Sequence, residues 1–204
     1  MAQAPRSGPV TVLHYVITSV SGALHLIIDG PPALSRFDLS VAGFWRSFGA
    51  ALVSLPIYGL VLATSGRGLD GHALTGALVI YGLNWVTFPI VMLAVSKLLG
   101  LSDNYVRYII VYNWARVVIA LVQAPLPLLA ASDVLSAGLF VVIATVVTAT
   151  VLVYQWRIAR ISLGAAWPAA VAVVVLDVVL GDVIAAAGRA VLGGGALAPP
   201  VLVQ

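Results

Sequence analysis

The sequence predicts an all-α membrane protein: a polytopic transmembrane helix bundle of five spans, preceded by an amphipathic interfacial helix. Of its 204 residues, 62% are hydrophobic and 8% are charged, and the mean hydropathy is +1.11. Soluble domains carry about 25% charged residues. The apolar residues also fall into stretches of about 20, which is the length that a helix needs to cross a bilayer.

The N-terminal region, residues 1–36, is predicted to be a sided helix followed by a linker. One side of 10–29 is aliphatic, and the other side carries threonine, serine, histidine and aspartate. Its titratable members are His14, His25 and Asp29. This division is typical of a helix that lies in the interface on the cytoplasmic side. A sixth span with its polar side against the bundle is the alternative. The Gly-Pro-Pro sequence at 30–32 ends the helix.

Five apolar stretches between residues 37 and 187 predict the spans. They lie at about 41–63, 75–99, 104–130, 134–154 and 163–187. Asp38 or Ser40 is suited to cap the first span. The basic segment 155–162 is predicted to be a short loop. Residues 188–204 are rich in glycine and proline and are predicted to form a flexible external tail.

The third span carries Arg116 near its middle. A cation at that depth costs several kcal/mol unless it is paired or hydrated. A mostly polar stripe runs along this helix at helical spacing. It comprises Tyr105, Ile109, Tyr112, Asn113, Arg116, Ala120 and Gln123. The opposite side, with Ile110, Val117 and Leu121, is expected to face lipid.

Arg116 needs a partner, and Asp177 of the fifth span is the candidate. At about 1.5 Å of rise per residue, the two lie at similar depths. We predict an Arg116–Asp177 ion pair. The groups expected to satisfy its remaining donors and acceptors are Asn84, Tyr112 and Asn113. The cluster is either a structural pair that fixes helix packing or part of a transport or proton pathway.

Several chemistries lack the residues they need. The chain has no cysteine, and its histidines lie outside the predicted spans. A thiolate site and an intramembrane serine–histidine dyad are therefore excluded. His25 and Asp29 are one turn apart and could share a proton or a weakly bound metal, although a solvated polar face is the commoner arrangement. We predict no enzyme activity, no metal, no cofactor and no nucleic-acid partner. The expected function is structural or accessory within the membrane, and the alternative is a small transporter or channel component.

Basic residues predict the orientation. With a cytoplasmic N-terminus and five spans, one side holds Arg6, Arg36, Arg46, Lys97, Arg107, Arg157 and Arg160. The opposite side holds Arg67 and Arg189. This asymmetry places the N-terminus in the cytoplasm and the C-terminus outside. High alanine and valine usage, with arginine favoured over lysine, indicates a bacterial inner (plasma) membrane. The expected partners are the bilayer and other membrane protein subunits.

The predicted layout resembles the Yip family of small five-span membrane proteins over residues 37–187. The FWRSF segment at 44–48 and the YNWARVV segment at 112–118 are also similar to stretches in uncharacterised bacterial membrane proteins. The resemblance implies a five-span topology. Eukaryotic Yip members are associated with small GTPases and vesicle traffic, but their acidic N-terminal signature with tyrosine and glycine is missing here, so that role is not transferred.

Overall fold

The computed structural model describes residues 9–64, 71–132 and 134–191, and these ranges contain helices and no strand. The α-helices are α1 (Pro9–Ile28), α2 (Val41–Ser47), α3 (Gly49–Ala63), α4 (Gly71–Leu98), α5 (Tyr105–Gln123), α6 (Pro125–Ala131), α7 (Ala137–Ile158) and α8 (Trp167–Val191). Of the predicted tail, 188–191 belongs to α8, and the rest lies outside the described residues.

Five helical stretches are long and apolar enough to cross a membrane, as predicted. They are Val41–Ala63, Ala73–Leu98, Ser102–Ala131, Ala137–Leu163 and Trp167–Ala190. The first combines α2 and α3, and the third combines a short 3-10 turn with α5 and α6. The shorter apolar helix Val12–Ile28 precedes them. The all-α bundle is therefore confirmed.

The N-terminus of the first span is capped by a side chain. The Ser40 hydroxyl accepts a hydrogen bond from the Gly43 amide, so Ser40 is the N-cap. Asp38 accepts a hydrogen bond from the Ser40 amide and forms an ion pair with Arg46. A Cβ at Gly43 would overlap the Asp38 carbonyl oxygen, so only glycine fits there.

The third span occupies the centre of the bundle. α5 packs against α1, α2, α3, α4 and α7. Ile110 and Val117, which were expected to face lipid, are fully buried, whereas Leu121 is 53% exposed. That expectation was wrong for the first two because a helix with apolar residues all round belongs inside a bundle. Both the polar stripe and the apolar side of α5 therefore pack against neighbouring helices.

The N-terminal helix packs lengthwise on this centre. The Tyr15 ring meets the Trp114 ring edge-on at 5.5 Å, and the Tyr154 hydroxyl donates to the Ala23 carbonyl at 2.7 Å. A Cβ on Gly22 would lie 2.9 Å from the Phe37 ring, so this glycine lets the following 3-10 helix, Pro31–Arg36, fold back onto α1. The exposed side of α1 is aliphatic: Val12, Leu13, Ile17, Leu24, Ile27 and Ile28.

The predicted basic loop at 155–162 is helical instead. α7 continues to Ile158 and passes into a π-helical turn, Ala159–Leu163, which ends at Gly164 with φ +73°. Ile158, Ser162 and Leu163 are fully buried, so the segment has a core-facing side and remains helical. The Asn104 amide donates to the Leu163 carbonyl at 2.9 Å and fastens the turn to the start of α5.

Candidate functional site

The candidate site is a polar seam, formed by the Asn84 carbonyl and the side chains of Tyr112, Arg116, Gln155 and Asp177. Asp177 lies in α8, and both of its carboxylate oxygens accept hydrogen bonds. The Tyr112 hydroxyl of α5 donates to Oδ1 at 2.6 Å, and the Gln155 amide of α7 donates to Oδ2 at 2.8 Å. Hydrogen bonds to an ionised acceptor are roughly twice as strong as neutral ones. One carboxylate thus joins three spans.

Arg116 belongs to the same seam and is satisfied differently. Its Nη1 donates to the Asn84 carbonyl of α4 at 2.8 Å. Its guanidinium carbon lies 4.3 Å from the centre of the Trp85 ring and 5.7 Å from that of Tyr112. Cation–π contacts of this kind contribute up to about 2 kcal/mol when desolvated. The cation is therefore shared between a backbone dipole and two aromatic faces.

The predicted direct Arg116–Asp177 ion pair is not formed. The carboxylate binds Tyr112 and Gln155, and the guanidinium binds the α4 backbone, although the two charges still interact through space. The prediction was wrong on contact because depth fixes only one coordinate of a side chain. The direction in which each helix turns its residues fixes the others.

The two asparagines also differ from their predicted role. The Asn84 side chain donates to the Ile80 carbonyl of its own helix, so only its backbone serves Arg116. Asn113 is fully buried and donates to the Ser47 hydroxyl of α2 at 2.9 Å. Neighbouring residues on a helix point about 100° apart, so Tyr112 and Asn113 cannot serve the same partner. Asn113 instead ties the third span to the first.

Aromatic rings line the seam. Phe88 stacks on Tyr112 with 4.3 Å between ring centres, and Tyr108 lies 5.9 Å from Tyr112. On the other side, Tyr81 contacts Trp85, and its hydroxyl donates to the Ala51 carbonyl of α3 at 2.6 Å. These contacts continue the seam from the fifth span to the first, so every span contributes to it.

Sequence reasoning missed Gln155. It assigned this residue to a loop because a basic segment follows the apolar run. The apolar residues among the arginines are the signal that could have extended the helix, and the extension places Gln155 one turn inside the end of α7. A polar side chain at that position is able to turn inward to Asp177.

The polar residues of α1 do not converge on the seam. His14 and Asp29 are exposed. The His25 ring nitrogen Nδ1 lies 2.8 Å from the Ser21 carbonyl oxygen, one turn back. Asp29 is joined to His25 through backbone atoms, from the Asp29 amide to the His25 carbonyl at 2.7 Å. Asp29 therefore lies at the end of α1, and His14 and His25 lie along the helix without contributing to the seam.

Comparison of the chain with protein-family models, with curated proteins and with solved structures finds no match. The likeness in helix layout to the Yip family stays a prediction from the sequence. The function is therefore inferred from the geometry of the seam and of its surroundings.

Proposed function

We propose that this chain is a non-enzymatic integral membrane protein with a structural or accessory role, packing within the membrane and against other membrane subunits. The observation that supports this most is the closed hydrogen bonding of Asp177. Both carboxylate oxygens are bound to side chains of neighbouring spans. An ion or substrate at this site would have to compete with the bonds that Tyr112 and Gln155 already donate.

The chemistry of Arg116 supports the same role. A carbonyl and two rings hold its charge in one place. Satisfied polar networks in a low-dielectric interior restrict how neighbouring helices can pack, because any other arrangement leaves a polar group unpaired. The seam is thus suited to fix the arrangement of the spans.

The test combines flux with stability in proteoliposomes. We expect wild-type protein to conduct no more H⁺, Na⁺ or K⁺ than empty liposomes, and Asp177→Asn to lower its unfolding temperature. Asp103→Asn, which removes an exposed carboxylate, is the control. Ion flux that Asp177→Asn abolishes in a protein of unchanged stability would contradict the structural role.

A small transporter or channel component is the second candidate. Gln155 donates to Asp177, but its own Oε1 is buried and accepts no hydrogen bond. A buried amide oxygen beside a carboxylate is able to coordinate a desolvated cation, and the carboxylate itself is able to receive a proton. This function requires the flux above to depend on Gln155, so Gln155→Leu should abolish it and Asn84→Leu should not.

We propose a bacterial inner (plasma) membrane as the location, with the beginnings of α2 and α5 and the end of α7 on the cytoplasmic side. The excess of basic residues on that side supports this orientation. The chain has no cysteine, so single cysteines report accessibility. Ser102→Cys should react with a membrane-impermeant thiol reagent only from the cytoplasm, and Ser132→Cys only from outside. The reverse pattern would invert the orientation.

The contacts of α1 favour insertion beside α5 over a flat position at the surface. Tyr15 contacts Trp114. Trp114 lies nine residues after the start of α5, and therefore about 14 Å along that helix. Ala23 contacts Tyr154, which lies near the end of α7, on the side of the bundle where α5 begins. An interfacial helix sinks only about 5–10 Å. An inserted α1 points its amino end toward the external side, whereas a flat helix leaves it cytoplasmic.

Spin labels at two exposed positions of α1 separate these arrangements. Val12→Cys and Ile28→Cys lie 16 residues apart, or about 24 Å along the helix. For an inserted helix we expect the label at 12 to lie at least about 10 Å deeper in the bilayer than the label at 28. Equal depths would restore the interfacial helix.

A further inference from the structure

A second group of charged side chains lies away from the seam, where α7 turns toward α8. It consists of Arg107, Arg157 and Arg160, and we name it the basic edge. Among the residues that the structure describes, none of these three forms an ion pair, whereas Arg46 is paired with Asp38. Three positive charges without a carboxylate are unusual beside a segment whose backbone is largely buried.

Two of the three guanidiniums are fixed on the π-helical turn. Arg107 Nε donates to the Ser162 carbonyl at 2.6 Å, and Arg160 Nη1 donates to the Ala165 carbonyl at 3.3 Å. A guanidinium has five N–H donors in a planar fork. One bond to a carbonyl therefore orients each group and leaves most of its donors for another acceptor.

Arg157 supplies the independent observation. Its Nε is buried and donates to no acceptor. A buried donor of a cation without a partner costs more than the 1–3 kcal/mol typical of neutral groups. Arg157 lies one helical turn after Tyr154 and one turn before Arg160. Along the helix, Arg157 therefore lies between Tyr154, which contacts α1, and Arg160 of the basic edge.

The π-helical turn that carries Arg160 is held in place by specific contacts. A π-helical turn is rare and occurs often at functional sites. Here the Asn104 amide and the Arg107 side chain hold it from the beginning of α5, and Gly164 ends it in a left-handed conformation. The positions of the arginines therefore depend on the third span, which is the most buried helix of the protein.

The aromatic neighbours indicate the kind of ligand. The Arg160 guanidinium lies 5.7 Å from the centre of the Trp156 ring, and Trp167 is 64% exposed at the start of α8. Tryptophans concentrate at the headgroup level of a bilayer. Arginine forks match the oxygens of a phosphate group. On the side that we propose to be cytoplasmic, anionic lipids supply that phosphate.

We propose that the basic edge binds the phosphate of an anionic phospholipid headgroup, with Arg107, Arg157 and Arg160 donating N–H groups for which the protein provides no acceptor. The site is separate from the polar seam and from its role in packing. It assigns the unpaired Arg157 an acceptor that the protein chain does not provide.

The experiment uses the full chain in nanodiscs of phosphatidylcholine with added phosphatidylglycerol, and native mass spectrometry counts retained phosphatidylglycerol. We expect Arg157→Gln to weaken retention about fivefold, as befits about 1 kcal/mol per arginine near the surface. Arg157→Lys should weaken it less, because lysine keeps the charge and lacks only the planar fork. Arg46→Gln is the control, because it removes one positive charge on the same side from a residue that is paired with Asp38. It should retain the lipid as wild type does.

The alternatives give different results. Equal losses for Arg157→Gln and Arg46→Gln would reduce the effect to surface charge and overturn the site. Binding of inorganic phosphate to the protein in pure phosphatidylcholine discs, with an affinity equal to that for phosphatidylglycerol, would assign the site to a soluble anion and overturn the proposal. If Arg157→Gln does not fold, Arg160→Gln, at an exposed position, serves instead. Unchanged retention by Arg160→Gln would then contradict the proposal.

Discussion

The polar seam and the basic edge both place arginine at the membrane, and they differ in how its charge is met. In the seam, Arg116 and Asp177 are bound by groups of the protein itself. At the basic edge, Arg107 and Arg160 donate to backbone carbonyls, Arg160 also lies over the Trp156 ring, and Arg157 Nε has no acceptor. Charges that are bound by protein groups stabilise the fold. Cations with unused donors are available to a ligand.

The largest expected difference between the two regions is in stability. Arg116→Ala removes the hydrogen bond to the Asn84 carbonyl and the two cation–π contacts, and should lower the free energy of unfolding by about 3 kcal/mol. Arg160→Ala removes an exposed arginine of the basic edge and should change it by less than about 0.5 kcal/mol. Unfolding in mixed micelles with increasing denaturing detergent measures both. Equal losses would abolish the distinction between the regions.

A smaller effect separates charged from neutral acceptors on one helix. The hydroxyl of Tyr112 donates to a carboxylate, and that of Tyr105 donates to the Pro89 carbonyl at 2.9 Å. Tyr112→Phe should cost about 2 kcal/mol and Tyr105→Phe about 1 kcal/mol, because bonds to charged groups contribute more. The same unfolding measurement applies. A greater loss for Tyr105→Phe would indicate that the Asp177 carboxylate is not ionised in the seam.

The smallest effect concerns an exposed counterpart of the seam, the Arg46–Asp38 ion pair. Bonds from Ser40, followed by the Arg46 charge, lower the pKa of Asp38 below its ordinary value. This stabilisation is present above the ordinary aspartate pKa of about 3.9 and is lost as the pH falls through the lower folded value. An exposed pair contributes at most about 1 kcal/mol.

We therefore expect Asp38→Asn to lower the unfolding temperature slightly at pH 7, relative to wild type, and by less at pH 3, because the wild-type stabilisation decreases as the pH falls. Thermal unfolding at the two pH values measures this. A difference between the proteins that grows as the pH falls would give Asp38 a raised pKa and reverse the assignment.

The spans were predictable because their signal is collective. Five runs of about 20 apolar residues, ended by Gly, Pro and polar segments, predict the five long apolar helices. The Ser40 cap was one of two predicted candidates and follows from local hydrogen bonding. Both features depend on residues that are close in sequence, so the pattern of residue types along the chain predicts them.

The contacts between the spans were not predictable to the same extent. Asp177 was expected to bind Arg116 and instead binds Tyr112 and Gln155. Hydropathy gives the depth of a side chain but not the rotation of its helix about its axis. Rotation is set by packing of the whole bundle, which also buried Ile110 and Val117 on the side of α5 assigned to lipid.

The central claim is that neighbouring spans hold the Asp177 carboxylate and so fix the packing of the bundle. A double-mutant cycle of Tyr112→Phe and Asp177→Leu, measured by unfolding free energy, tests it most directly. We predict that the losses are not additive, with a coupling of at least about 1.5 kcal/mol. Losses that add to within about 0.5 kcal/mol would show that the two side chains act independently, and would contradict the account.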